Sequence, residues 1–205
     1  MVISIVNARK DELQISQSWM AHGYEVWATT FDICTHLLYS GSDDCRFSCW
    51  DLRDSPSTLV FQNTKSHQMG ICCFAQSSMN SNMILTGSYD EFLRVWDIRS
   101  TLKPVSKYYI SLGRGVWRIK PHPSIPGLVL AACMHNGFDV QVGDEIAIVA
   151  ESYAKHKSLA YGAVWQRGER VEDKTRWESL VATCSFYDRL LRIWKPESLI
   201  AKSRN

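Results

Sequence analysis

Short segments in which apolar and polar residues alternate recur along the chain, and a run of small residues precedes each of them. In one such segment Leu93 and Val95 alternate with Arg94, as expected for a strand with one buried face. The preceding run, Leu85-Thr86-Gly87-Ser88, suits a strand packed closely between neighbouring sheets. Asp90 lies between the two segments, where its side chain favours a tight turn. The pattern predicts two antiparallel strands joined at Asp90.

The same order of features occurs four times. The string Gly87 to Asp97 matches Gly41 to Asp51 at an offset of 46 positions, and a third copy runs from Cys184 to Trp194. A degenerate copy from Ala131 to Gln141 has His135 in place of the turn Asp and Gln in place of the Trp. Repeats of this length and order are typical of WD repeats, in which each propeller blade is a four-stranded antiparallel sheet.

We therefore expect an all-β fold, a WD40-type β-propeller with about four blades that occupies residues 1–205. The predicted blades cover approximately residues 19–62, 63–108, 109–150 and 151–197. WD propellers most often close with seven blades, and Met1 begins within a predicted outer strand of a preceding blade. We interpret the chain as part of a seven-bladed ring that lacks its N-terminal blades.

Several residues of the repeats have predicted structural roles. A buried turn carboxylate needs a hydrogen-bond partner, and two histidines lie upstream at WD-like distances. We expect His22 to bond Asp44 and His67 to bond Asp90, each pair being covered by the Trp of its own repeat. The fourth repeat has His156 nearby at a looser spacing, whereas the third has no equivalent His. The structural set is His22, Asp44, Trp50, His67, Asp90, Trp96, Asp188 and Trp194.

Composition narrows the functional classes. The 23 Lys and Arg nearly balance the 21 Asp and Glu, and no long basic stretch occurs, which argues against nucleic-acid binding. The longest apolar stretch, Leu128 to Met134, is too short to cross a membrane. Seven cysteines without a Cys-x-x-Cys pair favour reduced thiols in the core of a cytoplasmic protein over a disulfide scaffold or a metal site.

Strings between and within the repeats are more specific than the WD pattern. Together they resemble successive segments of the diphthine methyl ester hydrolase family, also called diphthine methyltransferase, and the order and spacing agree over residues 19–195. The family has additional N-terminal blades, and its long insertion in the last blade is reduced here to residues 166–178. The strings are Ser66 to Cys72, Thr86 to Glu91, Gly115 to Pro123, Leu130 to Phe138, Tyr161 to Ala163 and Ala182 to Asp188.

The resemblance implies an esterase that acts on elongation factor 2. Methylated diphthine, which is built on one histidine of that factor, would lose its ester methyl group to give diphthine, a precursor of diphthamide. The reaction needs no cofactor, and its small product is methanol. The alternative is a non-catalytic WD scaffold that binds elongation factor 2 or other proteins, because most WD propellers are interaction platforms.

The sequence contains no recognised catalytic motif for ester hydrolysis. The chain lacks a Gly-x-Ser-x-Gly elbow and a His-Glu-x-x-His motif. His135 is the candidate general base, since it replaces a turn Asp and a neutral imidazole suits this role; the alternative is that it caps the turn of a degenerate blade. Glu25 is a second candidate, as base or as partner of His135. Cys133 and Ser185 are nucleophile types, but close packing between blades explains them.

The residues expected to contact the protein substrate are mostly aromatic and belong to the turns and to the starts of the inner strands. Aromatic side chains at a propeller face commonly supply binding contacts. The set is Tyr89, Glu91, Trp117, Tyr161 and Tyr187.

Overall fold

The structure, a computed structural model, describes residues 1–9, 12–53, 58–77, 80–100, 104–135, 137–142, 148–166 and 179–197. Within these ranges the regular structure consists of β-strands. Among the described residues no helix is long and apolar enough to cross a membrane. The predicted last-blade insertion, residues 166–178, lies outside the described residues except for Gln166.

The strands form a hairpin followed by four sheets, which we call blades one to four. The hairpin consists of β1 (Val2–Arg9) and β2 (Glu12–Met20). Blade one contains β3 (Val26–Phe31), β4 (Leu37–Ser42), β5 (Phe47–Asp51) and β6 (Thr58–Asn63). Blade two contains β7 (Ile71–Ser77), β8 (Asn80–Ser88), β9 (Phe92–Asp97) and β10 (Val105–Ser111).

Blade three follows the same plan, whereas blade four has three strands in the described residues instead of the predicted four. Blade three contains β11 (Arg118–Pro121), β12 (Val129–Ala132), β13 (Phe138–Val142) and β14 (Ile148–Tyr153). Blade four contains β15 (Gly162–Trp165), β16 (Val181–Ser185) and β17 (Leu190–Trp194). Strands pair in chain order and antiparallel within every blade. The first strands β3, β7, β11 and β15 are neighbours in succession, so they stand side by side around the propeller axis.

The core lies between blades. Blades one and two enclose one apolar cluster around Phe47, Ile84 and Trp96, and blades two and three enclose another around Leu93, Val116 and Ala131. Small residues are required where blades meet. A Cβ atom on Gly87 would lie 2.6 Å from Cys73 Sγ and 2.8 Å from the Val116 carbonyl oxygen. The small-residue run of each repeat therefore allows the next blade to approach.

All seven cysteines are free thiols, but only four of them are buried in the core. Cys49, Cys72, Cys73 and Cys133 are buried, as the expectation of core thiols requires. Cys34 and Cys184 are exposed, so for these two the expectation was wrong. Cys34 lies in the turn after β3, and Cys184 lies on β16, the middle strand of the three described strands of blade four.

Candidate functional site

The Asp turn of each regular blade is organised by the carboxylate itself. Asp44 Oδ1 accepts a hydrogen bond from the backbone N–H of Arg46 (3.1 Å), and Oδ2 accepts one from Gly23 (3.1 Å). Asp90 and Asp188 repeat both bonds in blades two and four. The carboxylate thus fixes its own turn and ties it to the loop that enters the blade.

In blade one a buried chain of hydrogen bonds continues from this carboxylate. Trp50 Nε1 donates to Ser40 Oγ (2.8 Å), which lies 2.8 Å from His22 Nε2, and His22 Nδ1 lies 3.1 Å from Asp44. Burial is the largest influence on the pKa of His22 and lowers it, so the imidazole is neutral at pH 7. A neutral ring that donates from Nδ1 and accepts at Nε2 satisfies every member of the chain.

Blade four contains the same chain in a turn that is one residue longer. His156 Nδ1 lies 2.9 Å from Asp188 Oδ2, and its Nε2 lies 3.0 Å from Thr183 Oγ1, to which Trp194 Nε1 also donates. Thr183 precedes the turn Asp by five positions, whereas Ser40 precedes its Asp by four. His156 therefore takes the structural position despite its looser sequence spacing.

Blade two differs from the expected arrangement because an arginine enters the chain. Arg94 Nη1 lies 2.9 Å from Asp90 Oδ1 and 3.1 Å from His67 Nδ1. The direct His67–Asp90 distance is 3.6 Å, too long for the predicted hydrogen bond, so that detail was wrong. A guanidinium group only donates, which makes Nδ1 the acceptor and the imidazole neutral. Burial, the largest cause, lowers the pKa of His67 in agreement with this assignment.

Among its described residues, blade three lacks this chain of hydrogen bonds. Leu112 takes the position of His67, and Ala131 takes the position of Thr86; both belong to the apolar core. His135, at the position of the Asp, is exposed. The structure does not describe the side chain of Gln141. With a leucine and an alanine beneath it, the His135 imidazole has no role in a buried hydrogen-bond chain.

The two candidate catalytic residues occupy different blades. The Glu25 side chain is exposed in the loop before β3, and its carbonyl oxygen accepts a hydrogen bond from Asp43 N (2.9 Å). His135 lies in the turn between β12 and β13. In the described part of the chain no hydrogen bond or ion pair links the two side chains, so the structure does not bring them together.

Six aromatic side chains from all four blades form a continuous surface, which we call the aromatic rim. Trp27, Tyr89 and Trp117 contact one another with ring centroids 6.0–6.4 Å apart. Trp117 then contacts Tyr161 (5.5 Å), which continues the rim to blade four. The members are Trp27, Tyr89, Trp117, Tyr161, Phe186 and Tyr187. All six residues belong to turns or to the starts of inner strands. These segments surround one opening of the central channel of a propeller, so the aromatic rim lies at that opening.

Glycines allow the turn side chains to cross to the next blade. A Cβ atom on Gly115 would lie 3.3 Å from the Tyr89 ring and 2.9 Å from Met134 Sδ. A Cβ atom on Gly70 would lie 2.2 Å from Asp43 Oδ1. Tyr89 and Asp43 are thus seated over glycines of the following blades, and Met134 brings the His135 turn against the same surface.

The predicted substrate contacts are placed unequally. Tyr89, Trp117, Tyr161 and Tyr187 all belong to the aromatic rim. Glu91 does not belong to it: its carbonyl oxygen accepts a hydrogen bond from Leu112 N (2.9 Å) at the end of the outer strand β10. A left-handed backbone, with φ of 73°, directs the chain away from the rim at this residue.

Sequence reasoning missed two members of the rim. Trp27 begins an inner strand as Trp117 does, so the repeat offset was a usable signal for it. Phe186 is the additional residue of the blade-four turn, and it is 73% exposed. Cys133 and Ser185, the two candidate nucleophiles, are buried and do not belong to the aromatic rim.

Comparisons with known proteins fit this architecture. The WD domain, G-beta repeat family matches residues 13–51 and 59–97. The diphthine methyltransferase homolog of Dictyostelium discoideum is 35% identical over 95% of this chain and 57% of its own length. The diphthine methyltransferase of Mus musculus is 40% identical over 78% of this chain and 34% of its own length. This chain is a WD-repeat protein related to the diphthine methyltransferases.

The fold is supported independently by a solved structure. The crystal structure of Saccharomyces cerevisiae Sqt1 superposes with a TM-score of 0.71 at 14% identity and covers 87% of this chain. The predicted WD-type propeller and the predicted family resemblance are therefore confirmed. The chain spans about half the length of the Dictyostelium relative and about a third of the mouse relative.

Proposed function

We propose that this chain acts in diphthamide biosynthesis in the cytoplasm as a methylesterase that converts methylated diphthine on elongation factor 2 to diphthine. The relatives named diphthine methyltransferase support the pathway. The single observation in the fold that carries the proposal is the exposed His135, which stands beside the aromatic rim without a structural hydrogen-bond chain.

The reaction needs one water molecule and one proton carrier. His135 accepts a proton from water while the water oxygen bonds to the ester carbonyl carbon. The bond between that carbon and the methoxy oxygen then breaks, and the imidazolium returns the proton to the departing oxygen, which leaves as methanol. The atoms balance without a cofactor, and the aromatic rim holds the protein substrate in place.

A non-catalytic scaffold is the second candidate, and one observation favours it. In the described part of the chain Glu25 and His135 are not paired, so Glu25 does not orient the imidazole. A scaffold would use the same aromatic rim to bind elongation factor 2 and would release no methanol.

The test is mass spectrometry of elongation factor 2 that bears methylated diphthine, after incubation with this chain. The methylesterase predicts loss of one methylene equivalent and a turnover reduced on the order of a hundredfold in His135→Ala. His36→Ala is the matched control, because His36 is also exposed but lies in the turn between β3 and β4, at the opposite face. Binding without any mass loss would support the scaffold; equal turnover in both variants would remove His135 from the reaction.

A further inference from the structure

The aromatic rim contains a compact triangle of rings. Trp27, Tyr89 and Trp117 come from three successive blades, and their planes are tilted by 59–76° relative to one another. Trp27 is 45% exposed, and the other two rings are partly exposed. Because the sides of the triangle are 6.0–6.4 Å, a cation above it can lie within about 6 Å of all three centroids, the range of a cation–π interaction.

Negative charge lies next to this triangle. The Asp43 carboxylate rests against Gly70, whose carbonyl oxygen accepts a hydrogen bond from Tyr89 N (2.9 Å). Asp43 is exposed, and its own N–H binds the carbonyl oxygen of Glu25, a second exposed acid. Burial is the largest cause that raises the pKa of Tyr89, and the charge of Asp43 acts in the same direction.

The hydrogen-bonding groups around the triangle indicate which kind of cation it would bind. A primary ammonium group has three N–H donors and needs an acceptor for each. The triangle itself presents aromatic surface, and the Asp43 carboxylate lies to one side of it, against Gly70, so it can meet only part of that requirement. A trialkylated ammonium group donates no hydrogen bond, so aromatic faces and a nearby negative charge are sufficient for it.

We propose that Trp27, Tyr89 and Trp117, with Asp43 beside them, form a binding site for a quaternary ammonium group. Diphthine carries a trimethylammonium group; the assignment to that substrate rests on the proposed function, whereas the site itself rests on the ring geometry. The group would hold the modified side chain at the rim and leave its ester to be reached from the His135 turn.

The test compares choline with its neutral isostere 3,3-dimethylbutan-1-ol, each titrated into the full chain. Tryptophan indole N–H signals are followed by NMR and assigned with Trp27→Phe and Trp117→Phe. Choline is expected to shift the Trp27 and Trp117 signals and to bind about fivefold more tightly than the isostere. The signal of Trp96, which is 1% exposed, is expected to stay in place.

Two variants and a control separate the site from general surface binding. Trp27→Leu is expected to weaken choline binding about fivefold. Tyr109→Leu is the matched control, because Tyr109 is an exposed ring that contacts Phe92 outside the aromatic rim. If Trp27→Leu fails to fold, Asp43→Asn replaces it and is expected to weaken binding of choline but not of the isostere.

Two results would overturn the site: equal affinity for choline and the isostere, or no shift of Trp27 at choline concentrations that leave Trp96 unchanged. The outcome is distinct from that of the esterase assay. Choline binding without loss of the methyl ester would keep the site and remove the hydrolase. Loss of the methyl ester without choline binding would keep the hydrolase and remove the quaternary ammonium site.

Discussion

Blades two and three stand side by side in the propeller and stabilise equivalent turns with opposite chemistry. Blade two buries His67, Thr86, Asp90 and Arg94 in one connected polar chain. Blade three fills the corresponding space with apolar side chains such as Leu112 and leaves the turn residue outside. A buried polar group without a partner costs about 1–3 kcal/mol of stability. A blade is therefore stable with the complete hydrogen-bonded chain or with none of its members, but not with only some of them.

This difference explains why an exposed histidine can occur at a position that is structural elsewhere. In blade three the turn uses glycine geometry instead of a carboxylate. Gly137 has φ of 84°, and a Cβ atom there would lie 2.3 Å from the Tyr153 carbonyl oxygen. The turn does not depend on His135, which is therefore available for chemistry.

The largest expected effect comes from removing the carboxylate of blade two. Asp90→Ala leaves the Arg94 charge buried without its counterion and should lower the free energy of unfolding by about 3–5 kcal/mol. His135→Ala at the equivalent position of blade three should change it by less than about 0.5 kcal/mol. Urea unfolding measures both variants. Similar losses would mean that His135 has a structural partner and that the contrast between the blades is wrong.

A second prediction places polar groups back in blade three. Leu112→His puts an imidazole in the apolar core beside Ala131 and should cost about 2–4 kcal/mol of unfolding free energy. Adding Ala131→Thr and His135→Asp supplies the Thr and Asp partners that the histidine has in blade four and should recover about 1–2 kcal/mol. Urea midpoints of the single and triple variants give the coupling. No recovery in the triple variant would show that the backbone, and not the set of partners, keeps blade three apolar.

The smallest effect is a dependence of stability on pH. Burial lowers the pKa of His22, His67 and His122 in the folded chain, whereas an unfolded histidine titrates near 6.5. Below about pH 6.5 the unfolded chain takes up these protons first, so the unfolding free energy falls, by at most about 1.4 kcal/mol per pH unit for each histidine. Urea titrations between about pH 7.5 and 5.5 measure the slope.

A variant of His122 sharpens this prediction within blade three. His122 Nδ1 accepts the N–H groups of Ser124 (3.1 Å) and Ile125 (3.0 Å), as Asp32 Oδ1 accepts two N–H groups in blade one. His122→Asn keeps a hydrogen-bond acceptor that does not titrate. The slope of the unfolding free energy against pH should therefore decrease by the contribution of His122. An unchanged slope would assign the pH dependence to other groups.

Much of the candidate site follows from the repeat alone. The offset between repeats places Tyr89, Trp117 and Tyr161 at turns and inner-strand starts, and His135 at a degenerate turn. Arg94 could not be assigned in the same way. Its alternation with Leu93 and Val95 predicts an exposed residue, yet it is 6% exposed, because Asp90 and His67 compensate its charge inside the blade.

The amino-acid sequence is sufficient to predict the local structure of this chain: the repeat length, the strands, the small residues between blades and the turn at each Asp. These features depend on neighbours along the chain and on the alternation of side chains. Three relations between blades required the folded structure: Trp27 meets Trp117 across blade two, Asp43 rests on Gly70, and in the described residues Glu25 and His135 are not paired. Such contacts depend on how blades are rotated around a common axis, which no single repeat encodes.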